Sequence, residues 1–154
     1  MNINKKETLD KQKLHFWATY LSFIGIVLAV FGGLLSYTPF MHFTLGTMYY
    51  DNYFEVMTYH KLNAGELNFQ RFVYGATGGV ITSWGIFIAA IARYALKKGE
   101  PWAWNTIALT TFLWFLGDGY ASVISGFPVH ALMNIGVLIF IVLPLIAIYN
   151  VVEH

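Results

Sequence analysis

Asp118 is the residue of this sequence with the most chemistry within reach. It is the only formal charge inside four long apolar runs, and its neighbours at helical spacing are polar or aromatic: Trp114 at i−4, Ser122 at i+4 and Ser125 at i+7. Gly117 and Gly119 flank it and leave space around the carboxyl, while Gly126-Phe127-Pro128 is followed at once by His130 and Asn134. A carboxyl, an imidazole and an amide carried by two adjacent helices can grip a polar head group. They can also pass a proton as an acid and base pair. Asp118 and His130 are therefore the candidate catalytic residues. Asn134, Ser122, Trp114, Tyr74, Trp84, Arg71 and Tyr120 are the candidate ligand-binding residues.

Depth decides which of these can meet. Counted from a turn near Gly126, Asp118 lies about eight residues down, roughly 12 Å at 1.5 Å per residue. Asn134 falls at the same depth on the next helix, and His130 falls close to Ser122. An ionised carboxylate facing lipid there would cost on the order of 2.5 to 3.5 kcal/mol, so Asp118 is expected to turn inward. The second run places Gly79 level with Asp118 and Arg71 about two turns above it, which disfavours a direct Arg71 to Asp118 bridge. Tyr74 or Thr82 lines the same space, and Trp84, Trp114 and Tyr120 wall it. The competing reading is plain packing, in which a protonated Asp118 hydrogen-bonds Asn134 and fastens two helices.

Other chemistries find less support. His42, His60 and His130 are expected on one side of the membrane with Asp51 and Glu55, but no H-E-x-x-H or comparable ligand spacing joins them. His15 is expected on the opposite side, too far for a haem shared with His130. The absence of cysteine removes disulfides, thiolate ligands and thiol catalysis. Ser122, His130 and Asp118 lack a nucleophile elbow, and Gly75-Ala76-Thr77-Gly78-Gly79 does not match G-x-G-x-x-G and follows no strand. No cofactor and no metal are expected.

The elements that must position these residues follow from composition. Of 154 residues, 57% are hydrophobic and only 11% charged, with mean hydropathy +0.56. Soluble domains carry about 25% charged residues, so this chain is built for lipid. A net charge of +1 supplies no field for nucleic acid. Four runs are long enough for a core about 30 Å thick: Leu14 to Tyr37, Phe72 to Ala92, Trp102 to Ser125, and Val129 to Val152, each bound approximate. Because backbone groups in lipid must pair within their own segment, the runs are read as helices. The expected fold is all-α: one membrane domain over residues 1–154, an integral four-helix bundle with an interfacial helical segment between the first and second spans.

Lys5, Lys6, Lys11, Lys13, Arg93, Lys97 and Lys98 fall on one side of these spans, and only Lys61 and Arg71 on the other. Positive charge is retained in the cytoplasm, so both termini are expected there. Trp17, Trp102 and Trp104 then sit at the inner interface. The first run is too long for a signal-peptide core and is read as an uncleaved span.

The connection from Thr38 to Gln70 is crowded with aromatics. As a helix it gathers Tyr50, Tyr53, Phe54 and Met57 on one side and Asp51, Glu55 and Thr58 on another, the pattern of a segment lying flat on the membrane. A lid over an outer pocket is the sharper alternative. Asn63-Ala64-Gly65 is read as the stop of that helix. Gly25, Ala29 and Gly33 in the first span, and Gly75 and Gly79 in the second, have the four-residue spacing of close helix contacts. Pro144 should bend the fourth span by freeing the Phe140 carbonyl. Pro101, after Glu100, suits the start of the third.

The stretch from about Phe69 to Tyr149 resembles a group of small bacterial integral membrane proteins of unassigned function. The likeness rests on Arg71 with Tyr74-Gly75, Trp84, Glu100-x-Trp102-x-Trp104, Trp114-Phe115 followed by Asp118, and Asn134. It covers about half of the chain, implies a four-span fold in a bacterial inner membrane, and leaves out the connection from Thr38 to Gln70. The reading that follows is a small polytopic protein that takes a lipidic or hydrophobic small molecule into an outward-facing pocket. Membrane lipid is its expected partner, with a homo-oligomer or a larger complex as further assemblies. The alternatives are a membrane enzyme working through Asp118 and His130 on an apolar substrate, and an accessory subunit.

Overall fold

The computed structural model describes the backbone of residues 3–53 and 59–152, and side chains over 6–50 and 60–152. The fold is all-α, with no strand among the described residues: α1 (Ile3–Tyr37), α2 (Pro39–Tyr53), a 3₁₀ turn at Tyr59–Lys61, α3 (Ala64–Tyr94), a second such turn at Leu96–Lys98, α4 (Pro101–Ile124) and α5 (Pro128–Ile148). Helices α1, α3, α4 and α5 are long and apolar enough to cross a membrane. No more than a third of the most apolar window of any of them is buried. Large side chains such as Phe23, Phe87, Phe112, Leu132 and Ile146 face outward, a surface suited to acyl chains. The protein is membrane-embedded.

The chain divides into two compact helical units, one of residues 1–26 with 87–154, the other of residues 27–86. In the first, α1 contributes Leu14, Ala18 and Leu21 to the core, and the end of α3 with its following turn contributes Ile88, Ala92 and Leu96. Ala103 and Ile107 of α4 and Ile141, Leu145 and Ile148 of α5 complete it. Gly99, at φ 80°, closes the 3₁₀ turn by donating its N–H to the Leu96 carbonyl at 2.9 Å. Glu100 and Pro101 then start α4, as the sequence suggested.

Helices α4 and α5 form a tight antiparallel pair. The Phe127 N–H reaches the Ser122 carbonyl at 2.8 Å, and the Gly126 N–H reaches that of Val123 at 3.2 Å. This is a Schellman cap, and it needs the left-handed backbone that Gly126 supplies at φ 74°. Pro128 opens α5 in the next step, where its missing N–H costs nothing. At the other end of the pair, the Trp104 indole donates to the Leu145 carbonyl at 2.9 Å, and its ring meets Tyr149 edge-on. That carbonyl is open because the Tyr149 N–H turns to Ile146 instead. Pro144 is buried inside α5 just before this point.

In the second unit α1 crosses α3 at Gly32 and Gly78. A Cβ on Gly32 would stand 2.5 Å from the Thr82 nitrogen, and one on Gly78 would meet Ser36 Oγ and the Gly32 carbonyl. Ser36 donates to the Gly75 carbonyl at 3.0 Å. The crossing therefore uses small residues, but one position away from those the spacing singled out. A Cβ added at Gly33, Gly75 or Gly79 would meet nothing within 4 Å.

The connection differs from expectation in one respect. Asn63 begins α3 rather than ending a helix: its Oδ1 accepts the N–H groups of Gly65 and Glu66, and Glu66 Oε2 accepts that of Asn63. This reciprocal capping box satisfies donors at the helix start. It lengthens the second span's helix to Ala64, well before the expected Phe72. Tyr50 lies in α2. Phe54, Glu55, Met57 and Thr58 lie outside the described residues, as do the side chains of Asp51 and Tyr53.

Candidate functional site

The convergence expected at Asp118 is present within the first unit. Asn134 Nδ2 donates to Asp118 Oδ2 at 2.8 Å, and His130 Nε2 lies 3.1 Å from the same oxygen. Both donors come from the first two turns of α5 and meet a carboxylate two turns from the end of α4. The short Gly126 turn fixes the heights at which these side chains can meet. Asn134 sits level with Asp118, as counting from the turn requires. His130, expected near the height of Ser122 and in the same convergence, joins it too. It reaches past Ser122 to the carboxylate, a span of one turn that an imidazole and a carboxyl together can cover.

Ser122 is buried, and its hydroxyl donates to the Asp118 backbone carbonyl at 2.6 Å. A serine in an apolar helix commonly satisfies itself on the preceding turn in this way. The hydroxyl thus braces the helix beneath Asp118, and its bond to the main chain gives no support to a Ser-His-Asp arrangement.

The cluster is not sealed. Asp118 and His130 turn toward the α4–α5 seam, yet each side chain keeps 35% of its surface exposed, whereas Asn134 is buried. Bare backbone lies beside them, because a Cβ at Gly117 or Gly119 would meet nothing within 4 Å. Asp118 Oδ1 receives no hydrogen bond among the described residues, so both side-chain donors converge on the other oxygen. Polar pairs between membrane helices contribute about 0.6 to 1.7 kcal/mol each, which is set against the rotamer entropy of ordering these side chains.

The remaining candidates fall into two groups. Trp114, half-buried one turn below Asp118, packs its ring at 6.5 Å from that of Phe115, and Tyr120 is largely exposed. Tyr74, Trp84 and Arg71 belong to the other unit. There, Tyr74 meets the His42 ring edge-on at 5.6 Å, Trp84 is half-buried, and Arg71 is exposed and reaches Asn68 Oδ1 at 3.5 Å. His42 Nε2 lies 2.7 Å from the Leu35 carbonyl, and His60 packs near Phe43. No group of three His, Asp or Glu side chains suited to a metal occurs among the described residues.

Sequence reasoning missed Thr111. It lies two turns before Asp118 on the same stripe of α4, is 1% exposed, and its hydroxyl has no partner among the described residues. The seven-residue step from Thr111 to Asp118 was the available signal. Gln70 was missed too: it is buried, its Nε2 donates to the His42 carbonyl at 3.0 Å, and its Oε1 has no such partner. No protein-family model, curated protein or solved structure matches this chain.

Proposed function

We propose that this is a small polytopic membrane protein that binds a lipidic or other hydrophobic small molecule, with the polar end of the ligand at Asp118, His130 and Asn134. One observation carries the reading: donors from α5 converge on a carboxylate that stays 35% exposed beside the bare backbone of Gly117 and Gly119. A pair serving only as packing glue needs one donor and no open side. An ionisable group at membrane depth is costly, and its presence there points to use. The test is native mass spectrometry of protein extracted from its own membrane, beside Gly119→Leu, whose side chain enters open space. The wild type should retain a stoichiometric amphiphile and the variant should lose it at unchanged helicity. Equal retention by both, or none by either, removes the proposal.

A second reading is favoured by the 3.1 Å contact of His130 with Asp118, the arrangement of an imidazole oriented for proton transfer. Under it the protein is a membrane enzyme acting on an apolar substrate, and Asp118→Asn would abolish turnover. A copurifying protein in place of a lipid would favour an accessory subunit or a larger complex.

The proposed setting is a bacterial inner membrane with both termini in the cytoplasm. Support comes from Lys6, Lys11, Lys13, Arg93, Lys97 and Lys98 lying before α4 or near the start of α1, away from the Gly126 turn. Because the chain has no cysteine, Lys98→Cys and Ser125→Cys can be labelled from either side without background. Labelling of position 125 alone by an impermeant reagent on intact cells is the expected result.

A further inference from the structure

We infer that the head group held at this site is a hydrogen-bond donor without negative charge, an alcohol or an amine on a long apolar chain. The inference rests on the proposed binding role and narrows it.

An ionised carboxylate offers about four lone-pair positions over its two oxygens. Asn134 Nδ2 and His130 Nε2 both aim at Oδ2, so neither of these contacts meets the other oxygen. Oδ1 takes none among the described residues and belongs to a side chain with a third of its surface open. What this oxygen presents to a visitor is an open acceptor position. The nearest backbone offers no counter-donor, because Gly117 and Gly119 lie inside α4, where N–H groups are bonded along the helix.

Arginine and lysine side chains of α3 and the turn after it, which could rescue an anionic head, are remote within this unit. Arg93, Lys97 and Lys98 precede Pro101, and Asp118 lies about 25 Å further along α4 at 1.5 Å per residue. A phosphate or carboxylate brings acceptors alone, and acceptor against acceptor at Oδ1 forms no hydrogen bond and adds like-charge repulsion. A hydroxyl or ammonium would complete the carboxylate, and the ammonium would add a charge-assisted bond. The open space beside Gly117 and Gly119 leaves room for the first methylenes.

The experiment measures binding of radiolabelled hexadecanol, hexadecylamine and hexadecanoate to the full chain in dodecyl maltoside, corrected with protein-free micelles. The alcohol and the amine should bind stoichiometrically, and the carboxylate at least about tenfold more weakly, a difference typical of one charge-assisted hydrogen bond. Asp118→Asn keeps an acceptor and removes the charge, so the amine should lose about tenfold and the alcohol much less. Hexadecanoate bound as well as the other two overturns the head-group inference while leaving the binding proposal standing. If none of the three exceeds micelle background, both fall. The wild-type series decides this without reliance on the variant.

Discussion

Gly32 of α1 and Gly78 of α3 approach so closely that a Cβ on Gly32 would stand 2.6 Å from the Gly78 carbonyl oxygen. The obstacle is backbone, which cannot swing aside. Gly78→Ala should therefore destabilise the protein by about 1 to 3 kcal/mol, the usual range for overpacking. Gly79→Ala, one residue on and facing open space, should raise stability by about 0.5 to 1 kcal/mol through helix propensity. Unfolding in mixed micelles reads both. Equal effects at the two positions would refute the crossing.

The bond between Asp118 and Asn134 should appear as a coupling energy. A double-mutant cycle of Asp118→Ala and Asn134→Ala is expected to give about 0.6 to 1.7 kcal/mol, the range found for polar pairs between membrane helices. The same cycle between Asp118→Ala and Ser122→Ala should give less, because Ser122 bonds the Asp118 main chain and not its carboxylate.

Trp104→Phe tests the far end of the α4–α5 pair. The variant keeps an aromatic edge for Tyr149 and loses the N–H that reaches Leu145. A cost of about 0.5 to 1.5 kcal/mol is expected from the lost hydrogen bond. Faster amide exchange confined to the last turn of α5 should accompany it. Protection unchanged there would show that the Leu145 carbonyl has another partner.

Glu7 and Lys11 stand one helical turn apart at 2.7 Å near the start of α1, both exposed. The Lys11 hydrogen bond, and then its charge, hold the Glu7 carboxyl below its ordinary 4.5, and the same bond raises Lys11 above 10.5. The support Glu7 gives the helix is complete above pH 4.5 and fades as pH falls through the lowered value. That from Lys11 is complete below 10.5 and fades as pH rises through the raised value. A carboxyl carbon NMR titration should place Glu7 back at its ordinary value in Lys11→Gln, and salt should shrink the difference.

The spans and the Asp118–Asn134 pair were legible in the sequence because each rests on a fixed quantity: the thickness of a bilayer, and the rise of a helix counted from a short turn. Elsewhere the sequence pattern admitted two answers. Gly32-Gly33 and Gly78-Gly79 are both doublets, so small-residue spacing left the contacting face uncertain by one residue, or about 100° of rotation. Asn63-Ala64-Gly65 carries residues common at helix ends, yet Glu66 three positions after Asn63 is the mark of a start, and the capping box decided it. Counting put His130 at the height of Ser122, and its contact with the carboxylate one turn further on depends on side-chain reach, which backbone heights leave out. Nothing in the pattern distinguishes a serine that faces a ligand from one that bonds its own helix.

The carboxylate and its two donors lie within one helical hairpin, sixteen positions separating Asp118 from Asn134. Such an assembly is completed when the last two helices enter the lipid together, and it asks nothing of the order in which the earlier segments settle. A chain shortened to those helices retains every covalent determinant of the cluster, so the hairpin is the smallest unit in which its recognition properties can evolve or be transplanted.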